Sequence, residues 1–142
     1  MLKSAYKILP NFKLVIEYHQ GTLTYPAYVS IKRKILNEPD FKPNYNHLIC
    51  FREIDFKVTT SEIEEFIAFM HKNSAKLGTR KVAFITDTPK QVVSTTIYKN
   101  NISKGNTVEI FSSISGAMKW FNYTAKAAHK IDKELTLLKK AI

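Results

Sequence analysis

The sequence predicts one α/β domain: a mixed sheet of about five strands with about four helices, and an extra C-terminal amphipathic helix. Three observations predict it. Its 142 residues, 44% of them hydrophobic and 12% aromatic, match the commonest size of one domain and are enough for one core. Short β-rich apolar runs alternate with longer stretches of helical period. Proline, glycine and asparagine fall between these runs, where turns belong.

The elements follow in order. Tyr6 to Leu9 and Lys13 to Tyr18 read as two strands joined across Pro10-Asn11. Pro26 sits near the first turn of a helix to about Leu36, with Ala27, Tyr28, Ile31 and Ile35 on one face. His47 to Phe51 is a buried-type strand, followed by the polar segment Arg52-Glu53-Ile54-Asp55. Thr59 with Glu62 forms a capping box, and Val58 staples against Ile63, starting a helix over 60–77 that Gly78 stops. Val82 to Ile85 is a second buried strand. Thr88-Pro89 opens a helix although Val92, Val93, Thr95, Thr96 and Ile97 are β-branched and poor helix formers. Thr107 to Phe111 is the last strand. Ile114, Ala117, Met118 and Phe121 mark the next helix, and Ala125, Ala128, Ile131, Leu135 and Leu138 continue a stripe toward the C-terminus, with a break expected at Asn122-Tyr123-Thr124. The expected division is a domain over 1–122 and a basic amphipathic helix over 123–142, docked on the domain or on a partner.

The single cysteine, Cys50, lies in an apolar run and reads as an inert buried thiol, which fits a reducing compartment. No run approaches the roughly 20 apolar residues of a membrane span, so the expected location is the cytoplasm. There the triplets Asn101-Ile102-Ser103 and Asn122-Tyr123-Thr124 carry no glycosylation meaning. The net charge of +10 is unevenly spread: residues 1–36 carry +5, residues 37–65 carry −4 and residues 66–142 carry +9.

The strand Val82-Ala83-Phe84-Ile85 with Thr86-Asp87-Thr88-Pro89 and Ile97-Tyr98, then Thr107 to Phe111 with Ala117 and Trp120-Phe121, resembles the anti-sigma-factor-antagonist-like (STAS-type) superfamily. The likeness is to its SpoIIAA-like branch and covers roughly residues 5–122. It implies a mixed sheet with helices on its faces, and relatives that switch protein partners or bind small apolar ligands. Phosphorylated members carry an Asp-Ser-x-Gly-like turn before the helix that follows their third strand; the matching stretch here, Phe56 to Glu62, has neither the Asp-Ser pair nor the glycine.

Candidate chemistry concentrates beyond the carboxyl ends of the parallel strands, where ligands of such sheets bind. The crevice candidates are Arg52, Asp87, Thr88, Ser112 and Ser113. Asp55 and Asp87 would make an acid/base pair only if one carboxylate were raised by burial or by its neighbour; such residues are more often helix caps. Asp55, Thr59, Thr60 and Ser61 are expected to form a partner-facing edge, because charge changes sign there and relatives switch at that turn. A second reading places a small apolar ligand between sheet and helices, near Phe66, Phe69, Tyr98 and Trp120. His47 and Cys50, three residues apart on a strand, point to opposite faces and exclude a metal pair. His19, His71 and His129 have no companion at metal spacing. Ser4-Ala5-Tyr6-Lys7 matches the Ser-x-x-Lys pattern of acyl enzymes but lacks its companion motifs. Four scattered glycines exclude phosphate-cradling loops, and no cofactor is implied. Lys126, Lys130, Lys133, Lys139 and Lys140, like Lys32-Arg33-Lys34, read as solvated or dipole-complementing cations; without interleaved aromatics they do not favour nucleic acid. The expected function is a non-enzymatic cytoplasmic module that binds and regulates a protein partner.

Overall fold

The pairing of the second and third strands shifts register once, between Tyr18 and Gln20. The structure, a computed structural model, describes residues 1–102 and 105–142. Ser103 of the first glycosylation-type triplet lies outside the described residues. Strands β1 (Lys3–Leu9), β2 (Leu14–Leu23), β3 (Asn46–Phe56), β4 (Arg80–Ile85) and β5 (Asn106–Phe111) form one sheet in the order β1-β2-β3-β4-β5. β1 is antiparallel to β2; the other neighbours are parallel. Among the described residues the helices are α1 (Tyr25–Leu36), α2 (Thr60–Lys72), α3 (Ser74–Leu77), α4 (Pro89–Asn101), α5 (Ile114–Phe121) and α6 (Ala125–Lys140).

The β1–β2 pair is the expected hairpin, turned by a 3-10 segment, Pro10–Phe12, and by Lys13 in the left-handed region. Two expected boundaries are corrected. β3 does not end at Phe51, because β2 continues beyond Tyr18: past the register shift between Tyr18 and Gln20, pairing resumes from Gln20 with Glu53 through Leu23 with Phe56. Arg52, Glu53 and Asp55 are therefore strand residues. The helix expected over 60–77 divides at Asn73, whose side-chain amide donates to the Phe69 carbonyl at 2.8 Å and so supplies a local bond in place of helix continuation. Gly78 then ends α3 at φ 67°. α4 forms despite its β-branched residues because Thr88 and Gln91 make a capping box, Pro89 occupies the first turn, and Gln91, Thr95 and Tyr98 are buried on one face. Asn122, also left-handed, separates α5 from α6, and Thr124 caps α6.

Alternation along the strands divides the core into two layers. Leu14, Ile16, Leu48, Cys50, Ala83 and Ile85 face α5 and α6, where Ile131, Leu135 and Leu138 close the layer. Ile49, Phe51, Val82 and Phe84 face the opposite way, with α1, α2 and α4 over them. Among the described residues no helix is long and apolar enough to cross a membrane.

Candidate functional site

The carboxyl ends of β3, β4 and β5 converge as the sequence predicts, but hydrogen bonds stitch them together. Arg52 Nη2 donates to the Ser112 carbonyl. The Gln91 side-chain amide donates to the carbonyls of Arg52 at 3.1 Å and Ile54 at 2.9 Å, and its oxygen accepts from the Asp87 and Thr88 backbone N–H groups at 2.6 and 3.1 Å. Thr88 caps α4, and Ser113 caps α5 by accepting from the Gly116 N–H at 3.0 Å. The five crevice candidates thus sit together, each engaged in holding strand ends and helix starts.

Asp55 is exposed and accepts from Lys90 Nζ at 2.9 Å, with Lys57 Nζ at 3.8 Å. The Lys90 hydrogen bond holds its carboxyl below the ordinary range. Asp55 is thus engaged by two lysines at the strand end, as an exposed ion-pair partner. At the start of α2, Thr59 Oγ1 accepts from the Glu62 N–H at 3.1 Å while Glu62 accepts from the Thr59 N–H at 2.9 Å. Thr60 and Ser61 are exposed beside this box.

Directly beneath that edge lies a cavity of about 60 Å3, between the sheet and α1, α2 and α4. Tyr28, Phe51, Phe66, Phe84 and Tyr98 supply its aromatic wall, and Val58, Glu62 and Ile63 bring it to the first turn of α2. The rings support one another: Phe51 stacks on Phe84 at 5.5 Å, and Phe66 meets Tyr28 at 5.2 Å and Tyr98 at 5.8 Å. Phe69 stands behind Phe66 at 6.0 Å. Trp120, expected in the same place, is on the other layer against Phe111 and Phe121, because the sheet separates α5 from α2 and α4.

Behind the aromatic wall is a buried ionic cluster. Glu17 on β2 is completely buried and receives Lys32 Nζ of α1, His19 Nε2 at 2.8 Å and the Tyr28 hydroxyl at 3.2 Å. Burial pushes its carboxyl up, but the Lys32 charge and the His19 hydrogen bond outweigh burial and hold it well below the carboxylate range. Burial pushes the Lys32 ammonium down. His47 lies 3.6 Å from Glu17, and burial, with Arg80 nearby, lowers its imidazole to about 3. Arg80, equally buried, donates from Nε to Asn106 at 3.0 Å and pairs with the Tyr98 hydroxyl.

No family model matches the chain, and no curated protein matches it. Among solved structures it is similar to an uncharacterised protein of the DUF3478 family with a SpoIIAA-like fold, from Shewanella loihica PV-4. The two share 17% sequence identity over 85% of this chain and 95% of the other, with a TM-score of 0.58. The chain has a SpoIIAA-like fold.

Within the SpoIIAA-like sheet the charged cluster is what reading the residues missed. Glu17 and His19 alternate in the strand run and so face one layer, and Lys32 follows Tyr28 by four positions on the apolar face of α1. Taken together these two periodicities put an acid and a base in the core; taken separately, Lys32 reads as a helix-end cation. The resemblance predicts the SpoIIAA-like mixed sheet correctly, and the phosphorylation turn missing from Phe56 to Glu62 is replaced by the Thr59 capping box.

Proposed function

We propose that this SpoIIAA-like domain is a binding module that takes a small apolar group into the aromatic cavity between the sheet and α1, α2 and α4. One observation carries the reading. Tyr28 turns its hydroxyl to Glu17 and Tyr98 to Arg80, so both present ring carbon, not polar atoms, to a space that Phe51, Phe66 and Phe84 also line. An apolar space of about 60 Å3 has room for more than a water molecule and gives water few partners. It suits the last carbons of an alkyl chain or a small ring. Benzene and hexanoate, titrated separately while the methyl groups of Leu23 and Ile63 are followed by NMR, are the test. Saturable shifts that disappear when Ser94→Leu fills the cavity support the reading; shifts that persist in that variant, or none at all, refute it.

A second reading, engagement of a protein partner at the β3–α2 edge, is favoured by the position of Val58, Glu62 and Ile63, which belong both to that edge and to the cavity mouth. The occupant is then an apolar side chain of the partner. In native mass spectrometry of the purified protein, a bound polypeptide released by Thr60→Asp with Ser61→Asp supports this reading, and one retained by that variant contradicts it.

A further inference from the structure

The sheet separates the Ser-x-x-Lys pair: Lys7 reaches Glu134 of α6 at 2.7 Å, while Ser4 faces the opposite layer beside His19. We propose that Ser4 is an acyl-transfer nucleophile acting on small esters, with His19 as its base and Glu17 as the residue that positions the base. Ser4 and His19 are direct cross-strand partners of β1 and β2, with Ser4 Oγ 2.6 Å from His19 Nδ1. The other ring nitrogen, Nε2, is 2.8 Å from Glu17 Oε1. A nucleophile within reach of a base that a third group orients is the arrangement nucleophilic catalysis requires, whatever the fold.

Chemistry fixes the direction of the relay. An ionised carboxylate only accepts, so Glu17 requires the proton of the neutral imidazole on Nε2. Nδ1 then offers its lone pair, and Ser4 donates to it. Lys32 holds the other carboxylate oxygen, Oε2, the Tyr28 hydroxyl donates to the same Oε1 that His19 meets, and the His19 ring is held against Tyr28 at 5.4 Å and Phe51 at 5.5 Å. Because Lys32 neutralises Glu17, the carboxylate serves orientation more than charge. His19 and Glu17 are fully buried, whereas Ser4 is half-buried on an edge strand. β1 is the edge strand of the sheet, so its outer side has no neighbouring strand.

In the step itself, Ser4 Oγ bonds to the ester carbonyl carbon as its proton passes to His19 Nδ1. The ester C–O bond then breaks and the alcohol leaves with that proton. Water, deprotonated by the same nitrogen, attacks the acyl carbon, releases the acid and returns the hydroxyl to Ser4. The site does not depend on the aromatic cavity.

The full chain is treated with a fluorophosphonate probe and, separately, with p-nitrophenyl acetate. The expected result is one label, on the peptide containing Ser4, and ester hydrolysis that Ser4→Ala lowers about 100-fold, the scale of lost general-base catalysis. Ser30→Ala, an exposed serine of α1, leaves both unchanged. Nitrogen-15 spectra of the histidines are expected to show His19 protonated at Nε2 and bare at Nδ1, and Glu17→Gln, near-isosteric but able to donate to Nε2 and turn the tautomer over, is expected to lower the hydrolysis by Ser4, a loss that packing alone would not produce. Labelling no faster than that of the urea-unfolded chain, or a His19 protonated at Nδ1, overturns the proposal. Should Ser4→Ala fail to fold, the nearly isosteric Ser4→Cys serves: its thiol must react with iodoacetamide faster in the folded chain than in the urea-unfolded chain, and a folded rate no faster counts against the relay.

Discussion

His47 and Glu17 make acid stability a local matter. His47 is held neutral, at about 3 against an ordinary 6.5, so between those values the unfolded chain binds a proton that the folded chain refuses. Stability from His47 is complete above about pH 6.5 and is lost as pH falls toward 3. Glu17 acts with the same sign lower down: its folded carboxyl is depressed, so its contribution holds above the ordinary carboxylate range and is lost in stronger acid. In urea titrations across this range, His47→Leu is expected to flatten the loss between pH 6.5 and 3 by a few kcal/mol; an unchanged slope would assign the acid sensitivity elsewhere. Lys32→Met removes the partner of a buried carboxylate and is expected to cost about 3–5 kcal/mol at neutral pH, read by the shift of the urea midpoint. His47 lies in a run read as a buried strand, but the burial of Lys32 could not be inferred from its own position in the chain. His47 reads as an ordinary strand histidine and Lys32 as one of three cations at a helix end; only strands and helix seen together show that they share a layer.

At the scale of elements, termini that carry their own chemistry were legible and lengths were not. The capping box of α2 forms at the expected Thr59 and α4 starts at the expected Thr88-Pro89, where the structure adds a second box with Gln91. How far β3 runs depends on the parallel partner that β2 offers beyond its bulge, a long-range pairing with no local signal. Asn73 is a different case: its side chain competes locally with the helix it interrupts, where the apolar period alone carries on to Leu77. Gly78 is a stricter case: at φ 67°, a Cβ there would stand 2.3 Å from Asn44 Oδ1 and 2.8 Å from the Asn44 nitrogen. Gly78→Ala is therefore expected to destabilise by more than the roughly 1 kcal/mol typical of a backbone penalty alone, measured as a lowered urea midpoint. A loss no larger than that of Thr59→Ala, about 1 kcal/mol for a missing cap, would mean the α3–β4 turn yields easily.

For the whole molecule, α6 closes one of the two layers. Its buried Ile131, Leu135 and Leu138 pack with Leu14, Ile16 and Leu48, and the Tyr123 hydroxyl donates to the Phe12 carbonyl at 2.8 Å across the start of the sheet. Removing residues 123–142 is expected to give a chain that aggregates or loses cooperative unfolding, read by size-exclusion chromatography and circular dichroism; a monomeric, cooperative 1–122 fragment would show that the helix is dispensable. Its apolar stripe was legible, and so was the layered architecture, because alternation of runs constrains topology strongly. The site was legible in part. Phe66 and Tyr98 do share a cavity, but Trp120 falls beyond the sheet, since aromatic identity does not say which side of a strand order a helix will cover.

Cys50 sits in the middle of β3 at 5% exposure, its thiol pushed up by burial, in the layer that α6 seals. A thiol reagent in excess can reach it only when that layer parts, so the rate of its disappearance counts openings of the native chain. The molecule thus carries, at one natural residue, a clock for its own excursions: slow consumption would mean that α6 departs only with global unfolding, and fast consumption that the helix lifts while the remaining sheet stays intact.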